Sequence, residues 1–77
     1  MKNGRKRLDT IAAEIIGKNI RRHRVGEQMT QTCLAEASYM SQKMVSLFEL
    51  GQAMPNAVQI INIAKALRKP VESFVKE

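Results

Sequence analysis

The amino-acid sequence predicts a single all-α domain of five short helices. Its 77 residues are enough for one hydrophobic core, because a chain of this size buries only about 60% of its unfolded surface. Only 4% of the residues are aromatic, so Ile, Leu, Val, Met and Ala must fill that core, which favours helices over strands. Apolar residues recur at helical spacing between good helix caps. We therefore expect a compact bundle joined by short links.

The first helix is predicted over residues 10–24, after a flexible basic arm formed by residues 1–9. Asp9 or Thr10 can cap its N-terminus. Its apolar side carries Ala12, Ile15, Ile16 and Ile20, and its basic side carries Lys18, Arg21, Arg22 and Arg24. Gly17 in the interior costs about 1 kcal/mol relative to Ala, which indicates that another backbone passes close by.

Two short helices follow, and each begins at a polar cap. Thr30 precedes a helix over residues 31–37, and Ser41 precedes a helix over residues 42–50. Because only residues 38–40 separate the first of these helices from the cap of the second, the chain must turn sharply between them.

The last two helices follow a loop. Asn56 and Gln59 form a capping-box pattern at the start of the fourth helix, and Val58 and Ile61 lie beside its core stripe. Pro70 breaks this helix and opens a short fifth one. The core residues predicted here are Ile60, Ile63, Ala64 and Leu67 on the fourth helix, and the fifth helix carries Val71, Phe74 and Val75.

The formal net charge of +6 is confined to the first third of the chain. Residues 1–24 hold eight basic and two acidic side chains, whereas residues 25–77 hold five of each. Such a one-sided basic surface has three readings: a polyanionic partner, an anionic membrane surface, or a tail that only keeps the protein soluble. The longest uncharged stretch, Leu50 to Ala64, lacks the ~20 apolar residues of a membrane span, and no apolar segment of a secretory signal follows the basic start. We expect a cytoplasmic protein without a membrane partner.

No residues have the spacing of a catalytic or metal site. His23, Cys33 and the scattered carboxylates form neither a nucleophile–base pair nor a cluster of metal ligands. We interpret His23 as an exposed ring on the first helix and Cys33 as a partly buried structural thiol in a reducing compartment. The sequence predicts no enzyme activity, no cofactor, no metal and no small-molecule ligand.

The second and third helices with their short turn form a helix-turn-helix pattern. The major groove of DNA is about 12 Å wide and accepts such a helix, so residues near its N-terminus can reach base edges. Gln pairs with adenine, Lys donates to guanine, Ser bonds either way, and Leu offers an apolar surface to a thymine methyl. The predicted base-contacting residues are Gln42, Lys43, Ser46 and Leu47.

The stretch from Ile16 to Val75 resembles the Cro and lambda-repressor type of helix-turn-helix domain. The matching segments are IGKNIRRHR, TQTCLAEAS, SQKMVSLFELG, the helix ending NIAKAL and the final VESFV. The resemblance implies a compact five-helix lambda-repressor-like domain over residues 10–77 that binds DNA and regulates transcription. It also implies that Gln31 contacts a phosphate and supports Gln42, the first residue of the recognition helix.

Four positions depart from that family pattern. Tyr39 stands where the turn has Gly, so it must accept a positive φ at roughly 1–2 kcal/mol unless the turn differs locally. Cys33 replaces the acidic residue that completes a capping box. Arg68 and Lys69 replace Gly-Val between the last two helices. These changes affect the turn geometry and the packing of the fifth helix.

We expect a homodimer that occupies a palindromic operator and acts as a repressor by occlusion, or through contact with RNA polymerase. The dimer surface is predicted from Val58, Ile61, Phe74 and Val75, although the loop 52–55 could instead cover the first two. Phosphate contacts are predicted for Gln31, Lys18, Arg21, Arg22 and Arg24, and for Lys2, Arg5, Lys6 and Arg7 of the arm. No effector-sensing domain or toxin-binding tail is expected.

Two binding functions remain as alternatives. The fold could be a protein-interaction module that has lost DNA readout, with the patch of Leu47 and Leu50 as its contact surface. The basic arm could also bind RNA or DNA without sequence preference, which would show a steep salt dependence. Substitution of Gln42 and Lys43 separates these functions from base readout.

Overall fold

The computed structural model describes residues 8–77, so the predicted arm contacts Lys2, Arg5, Lys6 and Arg7 lie outside the described residues. Within this range the architecture is all-α and without strands, as predicted. The helices are α1 (Leu8–Gly26), α2 (Gln31–Ala37), α3 (Gln42–Glu49), α4 (Ala57–Leu67) and α5 (Glu72–Val75). α1 begins before the predicted residue 10, so Asp9 and Thr10 lie inside the helix and neither is its N-cap.

The hydrophobic core lies where the five helices meet. α1 packs against α3 and α5, and α2 packs against α3 and α4. The larger side chains that are fully buried in this core are those of Ile20, Leu34, Val45, Phe48, Ile63, Leu67 and Phe74. Met29, Met40 and Met44 are partly buried against them, which fits the use of Met as a gap-filling side chain. On α1, Ala13 is buried while Ala12 and Ile15 are only half-buried, so its core face is rotated from the predicted one.

The N-caps of α2, α3 and α4 are those predicted from the sequence. Thr30 Oγ1 accepts from the Cys33 N–H at 3.0 Å, and Ser41 Oγ accepts from the Met44 N–H at 3.1 Å. Asn56 and Gln59 bond each other's backbone N–H groups at 2.8 and 2.9 Å, which completes the capping box. These local bonds set where the second, third and fourth helices begin.

Each of the first four helices is followed, within two residues, by a residue with a left-handed backbone. In each case the next residue's N–H donates to the carbonyl five positions earlier, as Met40 does to Ala35 at 2.9 Å, which is the Schellman motif. Tyr39 therefore accepts the positive φ, and Arg68 does the same where the family pattern has Gly. Gly26 is the last residue of α1, but Gln28 takes the left-handed position. The φ angles are 60° at Gln28, 62° at Tyr39, 73° at Gly51 and 58° at Arg68.

α1 approaches the end of α3 so closely that only Gly fits at position 17. A Cβ on Gly17 would collide with the carbonyl oxygen of Phe48 and lie 3.2 Å from that of Glu49. The close backbone approach predicted at this glycine is confirmed. The contact holds the C-terminal end of α3 against the middle of α1.

A side chain that the sequence analysis missed connects α1 to the C-terminal segment. Asn19 is 6% exposed, and its amide donates to the carbonyls of Phe74 at 3.0 Å and Lys76 at 2.7 Å. α5 has only four residues and buries Phe74 alone, whereas Val71 and Val75 remain exposed. Asn19 thus adds two hydrogen bonds to the packing of Phe74 in holding this short helix against α1.

Candidate nucleic-acid interface

The outer face of α3 carries the four predicted base-contacting side chains. Gln42 and Lys43, in the first turn, are exposed, and Ser46 and Leu47, one turn later, are half-buried. The side of α3 that faces the core buries Val45 and Phe48. The helix therefore presents one polar turn followed by a mixed polar and apolar turn, which is the chemistry needed at base edges.

A buried serine hydroxyl stabilises the turn between α2 and α3. Ser38 is 1% exposed, and its hydroxyl donates to the carbonyl of Leu34 at 2.6 Å. The next residue, Tyr39, points its side chain to solvent and is 86% exposed. Because the turn is built from satisfied polar groups, α2 and α3 keep a fixed relative orientation.

A polar network connects α1, α2 and α3 beside this face. The Glu49 carboxylate accepts from Arg24 Nε at 2.6 Å and from a terminal Arg24 nitrogen at 3.0 Å. The same carboxylate accepts from Gln31 Nε2 at 2.9 Å. Gln31 Oε1 in turn accepts from Gln42 Nε2 at 2.7 Å. The contact between Gln31 and Gln42 implied by the family resemblance is therefore present.

Arg24 does not lie on the exposed basic side where it was expected. Its side chain is 12% exposed, and its guanidinium donates to Glu49 and, at 2.7 Å, to the carbonyl of Met29. Arg24 lies seven residues after Gly17 and so shares the face of α1 that meets α3. This guanidinium is already bonded to groups of the protein, which disfavours the phosphate contact predicted for Arg24.

The other three cations of α1 are exposed on a different side. Lys18, Arg21 and Arg22 line an open groove between α1 and the C-terminal segment at Lys76. Arg22 also donates to the carbonyl oxygen of the Asn19 amide at 2.8 Å. α1 therefore keeps a basic surface, separate from the Arg24–Glu49 pair.

His23 and Cys33 differ from their predicted environments. The His23 ring packs edge-on against Phe74 at 5.2 Å between centroids, and its Nε2 is buried without a hydrogen-bond partner among residues 8–77. Burial and then the charges of Arg22 and Lys69 lower the pKa of His23 below its ordinary value. Cys33 is exposed rather than partly buried.

The predicted dimer surface is exposed only in part. Phe74 is fully buried in the core, so its assignment to the interface was wrong. Val58, Ile61 and Val75 are 66%, 43% and 52% exposed. The loop 52–55 therefore does not cover the first two, and three apolar side chains remain available on α4 and α5.

Residues 8–77 contain neither a cluster of metal-ligating side chains nor a membrane-spanning helix. No group of three or more His, Cys, Asp or Glu side chains there is arranged to hold a metal ion. None of the described helices is both long and apolar enough to cross a membrane.

Comparison with known proteins places this geometry among helix-turn-helix proteins. The helix-turn-helix family model matches residues 20–74, which include α2, the turn and α3. The restriction-modification controller protein C.AhdI from Aeromonas hydrophila is 26% identical, with a TM-score of 0.78 over 80% of this chain and 94% of that chain. No curated protein sequence matches the chain.

A second regulator of known structure is similar to the same extent. The clp gene regulator ClgR from Corynebacterium glutamicum is 27% identical, with a TM-score of 0.79 over 82% of this chain and 67% of that chain. Another crystal structure of ClgR is 26% identical, with a TM-score of 0.78 over 90% of this chain and 86% of that chain.

Proposed function

Since the chain belongs to the helix-turn-helix family of DNA-binding transcriptional regulators and is not an enzyme, we propose that it binds a palindromic operator as a homodimer. In this proposal α3 lies in the major groove and reads base edges through Gln42, Lys43, Ser46 and Leu47. Two-fold symmetry of the dimer would place half-sites about 34 Å apart. Occupancy of the operator would repress by occlusion or act through contact with RNA polymerase.

The observation that carries this proposal is the pairing of Gln42 with Gln31. Gln42 and Lys43 are exposed at the first turn of α3, and Gln31 begins α2 beside them. Both helices begin at satisfied caps, so their first turns are ordered before any ligand arrives. An ordered pair of polar first turns, with Lys43 in the second of them, suits one groove and its phosphates.

Affinity for the phosphates would come from the basic N-terminal third of the chain. We assign phosphate contacts to Gln31 at the start of α2 and to the exposed cations of α1, with a further contribution from the basic arm. The assigned cations are Lys18, Arg21 and Arg22 on α1, and Lys2, Arg5, Lys6 and Arg7 in the arm.

The experiment begins with selection of bound sites from random duplexes, which yields the operator and its symmetry. Gln42→Ala and Lys43→Ala should each weaken operator binding by about 5- to 150-fold, since a good base contact is worth about 1–3 kcal/mol. Lys65→Ala is the matched control, because it removes the same charge from an exposed position on α4.

Two results would contradict the proposal. If the selection enriches no sequence while binding falls steeply with salt, the protein binds nucleic acid without base readout. If Lys43→Ala and Lys65→Ala weaken binding equally and Gln42→Ala has no effect, α3 does not read the operator. A protein-interaction module with Leu50 in its patch would then be the better explanation, since this side chain is 63% exposed.

A further inference from the structure

We propose that Glu49 selects the base that Gln42 reads, although Glu49 itself lies behind the recognition surface. The inference rests on the proposed function of α3 and extends it to a positioning residue. Glu49 is the last residue of α3, and its side chain is 3% exposed. It acts through a relay of two glutamine amides, Gln31 and Gln42.

A carboxylate accepts hydrogen bonds and donates none, so it imposes a direction on the relay. Gln31 must turn its NH₂ group toward Glu49, as the 2.9 Å bond records. The carbonyl of Gln31 then faces Gln42, which must donate to it from its own NH₂ group, at 2.7 Å. The orientation of each amide follows from the charge of Glu49.

The carboxylate is itself fixed and cannot turn away from the relay. Arg24 donates to both oxygens of Glu49, at 2.6 and 3.0 Å, and has no acceptor atoms of its own. Gln42, in contrast, is exposed, and its amide alone in water would have no preferred direction. Through the relay, the nearly buried pair of Arg24 and Glu49 therefore fixes the direction of the exposed Gln42 amide.

The direction of the Gln42 amide determines which purine it accepts. One N–H of Gln42 is used by Gln31, which leaves the carbonyl oxygen and the other N–H to face a base. That pair matches adenine, whose N6 amino group donates and whose N7 accepts. A reversed amide would direct N–H groups outward, and guanine accepts at both O6 and N7.

Glu49→Gln should reverse the relay. Arg24 Nε, which makes the shorter of the two bonds at 2.6 Å, would hold the carbonyl oxygen of the new amide at the Oε2 position. The NH₂ group would then take the Oε1 position that faces Gln31, at the loss of the 3.0 Å bond from Arg24. Gln31 would then offer its carbonyl to position 49 and its NH₂ group to Gln42. The N–H groups of Gln42 would be freed for the base, and its preference would move from adenine toward guanine.

The experiment measures the affinity of the full chain for two operator duplexes, with adenine or guanine at the base that Gln42 reads. In the unsubstituted protein the ratio of the two affinities should favour adenine. Glu49→Gln should lower this ratio by about tenfold or more, since one bidentate pair carries discrimination of that order. In a Gln42→Ala background, Glu49→Gln should leave the ratio unchanged.

A second variant interrupts the relay without touching the ion pair, in case Glu49→Gln does not fold. Gln31→Leu leaves Arg24 and Glu49 bonded and frees the Gln42 amide, so the affinities for the two duplexes should converge. Loss of a phosphate contact at Gln31 would weaken both duplexes equally and would not change their ratio. Circular dichroism and the thermal midpoint establish which variants fold.

The outcomes separate this inference from the proposed function. If Gln42→Ala removes the adenine preference while Glu49→Gln and Gln31→Leu keep it, the relay is overturned and base readout by α3 stands. If Gln42→Ala leaves the preference intact, the proposed readout fails and the relay fails with it. A purely structural role for Glu49 would weaken both duplexes by the same factor and would overturn the inference.

Discussion

Three side chains occupy backbone positions that favour glycine. Gln28, Tyr39 and Arg68 have φ near +60° just after α1, α2 and α4, and a glycine, Gly51, takes the left-handed position only after α3. Each such residue costs roughly 1–2 kcal/mol relative to a relaxed backbone, because its Cβ crowds the following carbonyl. Substitution of such a residue by glycine should therefore raise the free energy of unfolding.

Tyr39→Gly should raise the free energy of unfolding by about 1 kcal/mol, because relief of the strained φ exceeds the flexibility gained by the unfolded chain. The side chain is 86% exposed, so little packing is lost. Urea denaturation measures the change. Ala37→Gly is the control in the same helix, and it should lower stability by up to about 1 kcal/mol because its backbone is helical. Equal effects at both positions would contradict the argument.

His23 should make stability depend on pH near neutrality. Its folded pKa is depressed, first by burial and then by Arg22 and Lys69, against a weaker opposite effect of Glu27. The unfolded chain binds the proton more readily, so this contribution is fully present above pH 6.5 and is lost as the pH falls through the folded pKa. The urea midpoint should fall from pH 7.5 to pH 5.5, and less so in His23→Gln. Parallel pH profiles of the two proteins would refute this.

Residues governed by local bonds were predictable, and residues governed by distant contacts were not. The caps Thr30, Ser41 and Asn56 follow from neighbours three positions away. Asn19 bonds a carbonyl 55 positions away, and no local pattern carries that information. The position of Arg24 on the packed face of α1 could have been predicted, since its seven-residue spacing from Gly17 places both residues on one face of the helix.

At the scale of elements, α1 and α3 behave as one unit. Gly17 lies under the last carbonyls of α3, and Arg24 bonds Glu49 at the same end. Backbone contact and ion pair thus fix the angle of the candidate recognition helix relative to the longest helix of the fold. The sequence predicted that a backbone would pass Gly17, but not that it would belong to α3, because periodicity gives the face of a helix and not its neighbour.

Gly17→Ala should lower the free energy of unfolding by about 3 kcal/mol, because overpacking against a rigid backbone is costly. The added methyl would collide with the carbonyl oxygen of Phe48, and no flexible side chain can move to accommodate it. Gly26→Ala is the matched control, since nothing lies within 4 Å of the position of its Cβ. Thermal or urea unfolding distinguishes the two, and a stable Gly17→Ala protein would contradict the contact.

At the scale of the whole molecule, the net positive charge lies outside α3, the candidate recognition helix. The net charge of +6 lies within residues 1–24, and the remaining residues sum to zero. On the described part of α3 only Lys43 and Glu49 are charged, and they carry opposite signs. In the proposed complex, affinity for phosphate and choice of sequence would therefore belong to different parts of the chain, as the distribution of charge along the sequence indicated.

The proposed homodimer depends on the exposed apolar side chains of α4 and α5. Val58→Glu should shift sedimentation from dimer to monomer and weaken operator binding, because a charge would enter an apolar interface. Val25→Glu is the control for sedimentation alone, since this valine is similarly exposed but lies on α1, in the groove of the exposed cations. Monomer in every sample, with or without operator, would refute the dimer.

The close contact at Gly17 also affects the heat-capacity change expected when the protein binds a duplex. The carbonyl end of α3 rests on α1 and its first turn is capped by Ser41, so the helix is ordered before it meets a groove. Folding of α3 does not have to accompany binding, and its conformational entropy is lost when the chain folds rather than when the complex forms. The heat-capacity change contributed by α3 should therefore reflect only the surfaces it brings into contact.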